Sequence, residues 1–177
     1  MASEYSVTGR SIVSKLDFVR VAHGRTVARS LTADLELPEL DPDLWYPFDL
    51  YDRLLRAIAE RCYSGELARL YDVGAFSAEH ALTTTFKKVA DSGDMVGMLE
   101  RFGVVHQQSY NAGRAAVLAD PEGRRITVHL AGAPTYSEAD LWVAAGFYAG
   151  AAQLLGCHTA ECRFCLTEDG GHLELKW

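Results

Sequence analysis

The chain has 177 residues, a formal net charge of −7, 49% apolar residues and 23% charged residues. That length fits one domain, residues 1–177, able to bury roughly 70% of its unfolded surface without staples. The basic residues are scattered, with Lys87-Lys88 and Arg124-Arg125 as the longest runs, which argues against a phosphate-tracking groove and so against nucleic acid as a partner. No apolar run reaches the roughly 18 residues of a membrane span, so no membrane insertion is expected. Met1 to Tyr5 has no apolar signal core, and the four cysteines are expected as thiols in the cytoplasm.

In chain order, Tyr5 to Thr8 alternates as a short strand that Gly9 breaks. Ser11 to Ala22 reads as a helix with Ile12, Leu16 and Val19 on one face, and Gly24 ends it. A short helix over Thr26 to Leu31 follows. Pro38 and Pro42 punctuate a loop. Trp45-Tyr46-Pro47-Phe48 is an aromatic entry into a helix reaching about Cys62, with Leu50, Leu54 and Ile58 inward and Pro47 in its first turn. Gly65 to Thr84 reads as another helix, broken or bent near Gly74. Asp91 to Asp94 is a turn and helix start, after which Met95, Leu99, Phe102, His106 and Tyr110 form a stripe.

Arg114 to Ala119 and Arg125 to Ala131 alternate as strands, joined by the hairpin chemistry of Asp120-Pro-Glu-Gly123. Ser137-Glu-Ala-Asp140 matches a capping box and opens the clearest helix, to Leu155. Gly156 stops it. Two strands, about His158 to Leu166 and His172 to Trp177, close the chain across Glu168-Asp-Gly-Gly171. Helices followed by a mostly antiparallel sheet with one late helix packed on it argue for an α+β fold.

Three of the four cysteines lie near the C-terminus. Cys162-x-x-Cys165 with His172 across a tight hairpin, and Cys157 as a fourth ligand, could hold a structural zinc, because thiolate and imidazole suit that ion. Residues three apart on a regular strand point to opposite faces, so the strand would have to bend. The competing reading is thiols packed as small hydrophobes.

The stripe with His106 and Tyr110 offers a second candidate. Phe102, His106 and Tyr110 are expected to line an apolar cavity with Trp142 or Phe147 from the last helix, and Arg114 could hold an anionic group or simply pair with a carboxylate. A histidine on such a stripe is more often a satisfied core residue. The last helix is made of small residues around Gly146-x-x-x-Gly150, and glycine inside a helix costs about 1 kcal/mol relative to alanine. Close approach there could serve a helix of the same chain, the same helix of a second subunit, or an apolar ligand. No nucleophile elbow, phosphate loop, dinucleotide fingerprint or zinc-protease motif occurs, and an enzyme is not expected.

Val7-Thr-Gly-Arg-Ser-Ile-Val-Ser-Lys-Leu-Asp-Phe-Val-Arg20, Trp45-Tyr-Pro-Phe-Asp-Leu-Tyr51, Ser77-Ala-Glu-His-Ala-Leu-Thr83, Tyr110-Asn-Ala-Gly-Arg114 and Gly132-Ala-Pro134 resemble an uncharacterised paralogous family of myxobacterial proteins. That family is similar to 4-vinyl-reductase-like domains and to the wider ligand-binding superfamily of haem-nitric-oxide sensors and TRAPP-type trafficking subunits. The resemblance implies helices packed on an antiparallel sheet around an apolar pocket, and a role in ligand sensing or assembly, often as a dimer. It also implies a structural zinc near the C-terminal hairpin, with Cys162, Cys165 and His172 at the matching places. The haem sensors use Tyr-x-Ser-x-Arg for the propionates. Tyr110-x-Ala-x-Arg114 lacks the serine, and His80, about thirty residues upstream, lacks the surroundings of an axial ligand, so haem is not expected. The resulting expectation is a non-enzymatic sensor of a small apolar or aromatic molecule, acting as a homodimer. The alternatives are a scaffold or regulatory module with a vestigial pocket, and a haem-based gas sensor.

Overall fold

Polar–apolar periodicity up to residue 84 resolves, among the described residues, into four α-helices, one 3-10 turn and two short strands. The computed structural model describes residues 5–84, 87, 97, 101, 104, 106–120 and 122–177. Strand β1 (Ser6–Thr8) runs into α1 (Gly9–Ala22), followed by α2 (Arg25–Asp34), β2 (Trp45–Pro47), α3 (Phe48–Tyr63) and α4 (Leu70–Thr83). The second half carries β3 (Arg114–Asp120), β4 (Arg125–Ala131), α5 (Glu138–Leu154), β5 (Glu161–Thr167) and β6 (Gly170–Lys176). The architecture is α+β, as the order of elements suggested.

Helix α3 buries Phe48, Tyr51, Leu54, Leu55, Ile58 and Ala59, a single stripe at helical spacing. It stops where Ser64 turns left-handed at φ 54°. The aromatic entry Trp45-Tyr46-Pro47 is itself a strand, antiparallel to β1 with Val7 opposite Tyr46. The sequence reads as an entry into the helix with Pro47 in its first turn, whereas Pro47 ends the strand and caps α3.

The main sheet has order β3-β4-β6-β5 and all its pairings are antiparallel. Ile126, Val128 and Leu130 of β4 and Leu173 and Leu175 of β6 are buried on one face, the period-two pattern of a half-covered sheet. Helix α5 covers that face and is buried nearly all round, since α4 lies on its other side. Its N-terminus is fixed by a full capping box between Ser137 and Asp140, an arrangement worth about 1 kcal/mol.

Glycines set the α4–α5 distance. A Cβ on Gly74 would lie 2.0 Å from the Val143 carbonyl oxygen, and one on Gly146 would lie 1.9 Å from that of Tyr71. Helix α4 continues through Gly74 without interruption. The Gly146-x-x-x-Gly150 face is filled by the chain's own α4, with Ala75 against Gly150, which corrects the expectation of a seam between subunits at this face. No helix among the described residues is long and apolar enough to cross a membrane.

Candidate functional site

The C-terminal cysteine group does not assemble. Cys162 is buried and Cys165 exposed, because residues three apart on the regular strand β5 face opposite ways. Cys157 lies before that strand and is half-buried. His172 stands across the ladder from Cys165 but turns to His129 of β4, with 3.3 Å between their Nδ1 atoms. Among the described residues no group of three or more His, Cys, Asp or Glu side chains could hold a metal ion. The zinc clamp expected at Cys157, Cys162, Cys165 and His172 is thus corrected: strand alternation wins, and burial pushes the Cys162 thiol up to about 12.

A different set of residues converges. A partly open cavity of about 430 Å³ lies between α1, α4, α5 and the helical end of residues 106–109. His106, Tyr110 and Phe147 line it as the stripe implied. Phe102, Met95 and Leu99 lie outside the described residues. Trp142 is not in the wall. Its indole N–H donates to Glu138 Oε1 at 3.1 Å and its ring meets Phe164 edge-on, so it faces the sheet. Arg114 is exposed on β3, opposite Ala131, and is not in the wall either.

The segment around Tyr110 is tied to the start of the chain. Tyr110 bridges to Val7, the Asn111 N–H donates to the Ser6 carbonyl at 3.0 Å, and the Ser6 N–H donates to the Asn111 side chain. The His106 ring stacks on Tyr110 with centroids 5.0 Å apart, and its Nε2 lies 3.2 Å from the Ala112 carbonyl oxygen, which can only accept. Burial lowers the His106 pKa, partly offset by that carbonyl. Tyr51 and Tyr110 bring their hydroxyls to 3.3 Å, and burial pushes the Tyr110 phenol up to about 12. Tyr136 reaches His106 Nε2 at 2.9 Å.

The inner wall is not apolar, contrary to expectation. Lys15 of α1 is 4% exposed, and its ammonium donates to Ser77 at 2.9 Å and Ser14 at 3.2 Å. Burial lowers its pKa to about 8, and the nearby Asp140 charge works against that shift. Asp140 is 5% exposed. Its Oδ2 accepts from the Ser137 N–H at 3.0 Å and from the Ser137 hydroxyl at 2.9 Å, while its Oδ1 is buried without a hydrogen-bond partner. Burial raises the Asp140 pKa to about 7, against the lowering effect of the Ser137 hydrogen bonds. Lys15 and Asp140 line the same cavity yet form no ion pair.

Lys15 and Asp140 were missed in the sequence, though a signal existed for one. Lys15 sits three residues after Ile12 and four before Val19, on the buried face of α1, where a lysine is rare unless used. Asp140 reads as the closing residue of a capping box, and nothing in that motif tells where its second oxygen goes. His80, set aside on sequence grounds, also lines the cavity, one turn beyond Ser77 and exposed.

No protein-family model matches the chain, and no curated protein does. Solved structures do. An H-NOX protein from S. oneidensis, in its Fe(II)NO ligation state, superposes with a TM-score of 0.72 at 13% identity, covering 96% of this chain and 98% of that one. A structure described as modulating haem redox potential through porphyrin distortion gives 0.71 at 13% identity, over 96% and 99%. A mutant H-NOX protein from K. algicida, iron(II) and unliganded, gives 0.66 at 13% identity, over 96% and 95%. At such identities the likeness speaks for architecture alone: over nearly its whole length, this chain is built on the fold of the H-NOX proteins.

Proposed function

We propose that this domain senses a small molecule, holding it in the cavity between α1, α4 and α5 without changing it chemically. The observation that carries the reading is the cavity itself. Its volume of about 430 Å³ lies within the range of small-molecule sites, and it combines apolar wall with a few convergent polar groups. Binding is favoured over catalysis because Ser137 and Asp52, the hydroxyl and carboxylate beside Asp140, are committed to structure. Ser137 caps α5 and Asp52 pairs with Arg56 at 2.7 Å. An occupant touching Tyr110 and Phe147 together would alter how residues 110–111 seat against β1, which gives binding a structural readout.

Haem sensing is the competing reading. The fold neighbours favour it more than sequence reasoning did, and His80 and Tyr110 in the cavity wall are the observations on its side. The described wall residues nevertheless suit a small carboxylate better than a large flat macrocycle. A flat apolar macrocycle would lie against a buried ammonium and a carboxyl oxygen with no partner. Arg114, the one candidate for a propionate in the Tyr-x-Ala-x-Arg segment, is exposed outside the wall. Self-association is proposed separately, through a surface other than the Gly146–Gly150 face.

Native mass spectrometry with an absorption spectrum, on protein purified from cells, tests the proposal. The expected result is a co-purifying organic mass and no Soret band. A stoichiometric Soret band would replace this reading with haem. A bare protein that also binds nothing added would leave the scaffold reading in its place.

A further inference from the structure

We propose that the cavity selects a small organic monoanion, a carboxylate on an apolar or aromatic body, held at its inner end by Lys15 and Asp140; this rests on the ligand-binding reading above. An ammonium has three N–H donors. Ser77 and Ser14 take two of those of Lys15, and hydroxyl groups cannot neutralise its charge. A buried cation without a carboxylate partner is costly, and an incoming anion removes that cost.

Asp140 supplies the second, independent sign. Its Oδ1 is buried, bare and in the same cavity wall, although most buried polar atoms have partners. With its pKa near 7, the carboxyl is protonated in a large fraction of molecules at neutral pH. It then donates a hydrogen bond to one oxygen of a carboxylate whose other oxygen takes the Lys15 N–H. The body of the ligand lies on Phe147 and Leu141. One negative charge is the expected number, because among the described residues the arginine in the wall, Arg10, is exposed and already paired with Asp43 at 2.7 Å.

Isothermal titration with phenylacetate, phenethyl alcohol and phenethylamine separates the head group from the body. Phenylacetate is expected to bind at least about tenfold tighter than the alcohol, since charge-assisted hydrogen bonds are about twice as strong as neutral ones, and the amine weakest. Lys15→Met should abolish the preference of acid over alcohol. Should that variant misfold by circular dichroism, the wild-type preference serves instead. It should fall between pH 6 and 9, as Asp140 ionises through about 7 and Lys15 loses its proton through about 8. The other groups facing the head do not reverse this. Burial lowers the His106 pKa and raises those of Tyr51, Tyr110 and Tyr136, while Asp52 and Arg56, both near Asp140, pair with each other at 2.7 Å. Equal binding of acid and alcohol at every pH overturns the monoanion inference and leaves the cavity reading standing. Binding of none of the three overturns both.

Discussion

The C-terminal hairpin and the α1–α4–α5 cavity differ in how their chemistry is distributed. The hairpin concentrates thiols and an imidazole within a few residues, yet β-strand alternation sends Cys162 inward and Cys165 outward. The cavity gathers Lys15, Ser77, Tyr110 and Asp140 from four distant parts of the chain. Density along a sequence measures opportunity, whereas convergence depends on the periodicity of the element carrying each residue.

The largest expected effect concerns the wall that builds the cavity. Gly146→Leu would drive a side chain into the Tyr71 backbone, 1.9 Å from the position of its Cβ. Overpacking costs about 1–3 kcal/mol where side chains can yield. Backbone cannot, so a loss of at least about 3 kcal/mol is expected, seen as a melting temperature lower by about 6–12 °C or as insoluble protein. A melting temperature within about 2 °C of wild type would mean that α4 and α5 are not in close contact.

Asp140 comes next. Its pKa is raised from 3.8 to about 7 on folding, so the native state holds a proton that the unfolded state releases. The stability from this group is complete below pH 4 and lost as pH rises through about 7, a swing of about 4 kcal/mol at most. Asp140→Asn should flatten the stability profile between pH 4 and 8 and gain most over wild type at pH 8, measured by urea unfolding. An unchanged slope would place the carboxyl in water.

Lys15 gives the opposite sign. Its pKa falls from 10.5 to about 8 on folding, so a penalty of about 3 kcal/mol is present below pH 8 and relieved as pH climbs towards 10.5. Lys15→Met should raise stability by about 2 kcal/mol at pH 6.5, after the loss of two hydrogen bonds to serine, with a smaller gain at pH 10. Destabilisation at pH 6.5 would show the ammonium already compensated.

The hairpin should respond least. Cys165→Ser is expected within about 0.5 kcal/mol of wild type, and a chelator should leave the melting temperature unchanged within about 1 °C. Under a thiol reagent the exposed Cys165 should react first and the buried Cys162 last. Simultaneous protection of both, released by chelator, would restore the metal clamp.

Much of the fold was legible because its elements obey simple periods. The alternation of Ile126, Val128 and Leu130, the capping box at Ser137, and the stripe of α3 each follow from one local rule. Strand β2 was hidden because Pro47 suits the first turn of a helix, and its partner β1 lies almost forty residues away. At the site, His106, Tyr110 and Phe147 were legible as members of apolar stripes. Trp142 and Arg114 were misplaced because a helix face or strand end does not reveal which neighbour it meets. Lys15 was passed over, although its place between Ile12 and Val19 was a signal, because α1 carries charged residues on several sides. The packing of α4, with Ser77 facing α1, gives its ammonium a partner inside.

In the function proposed above, the cavity, through Lys15, is where a ligand would be held. A crystal structure with phenylacetate tests it most directly. Density is expected between Phe147 and Tyr110, with the carboxylate within hydrogen-bond distance of Lys15 Nζ and of the bare Asp140 oxygen. Phenylacetate bound elsewhere, or a cavity closed by its own tyrosines with Lys15 turned to solvent, would contradict it.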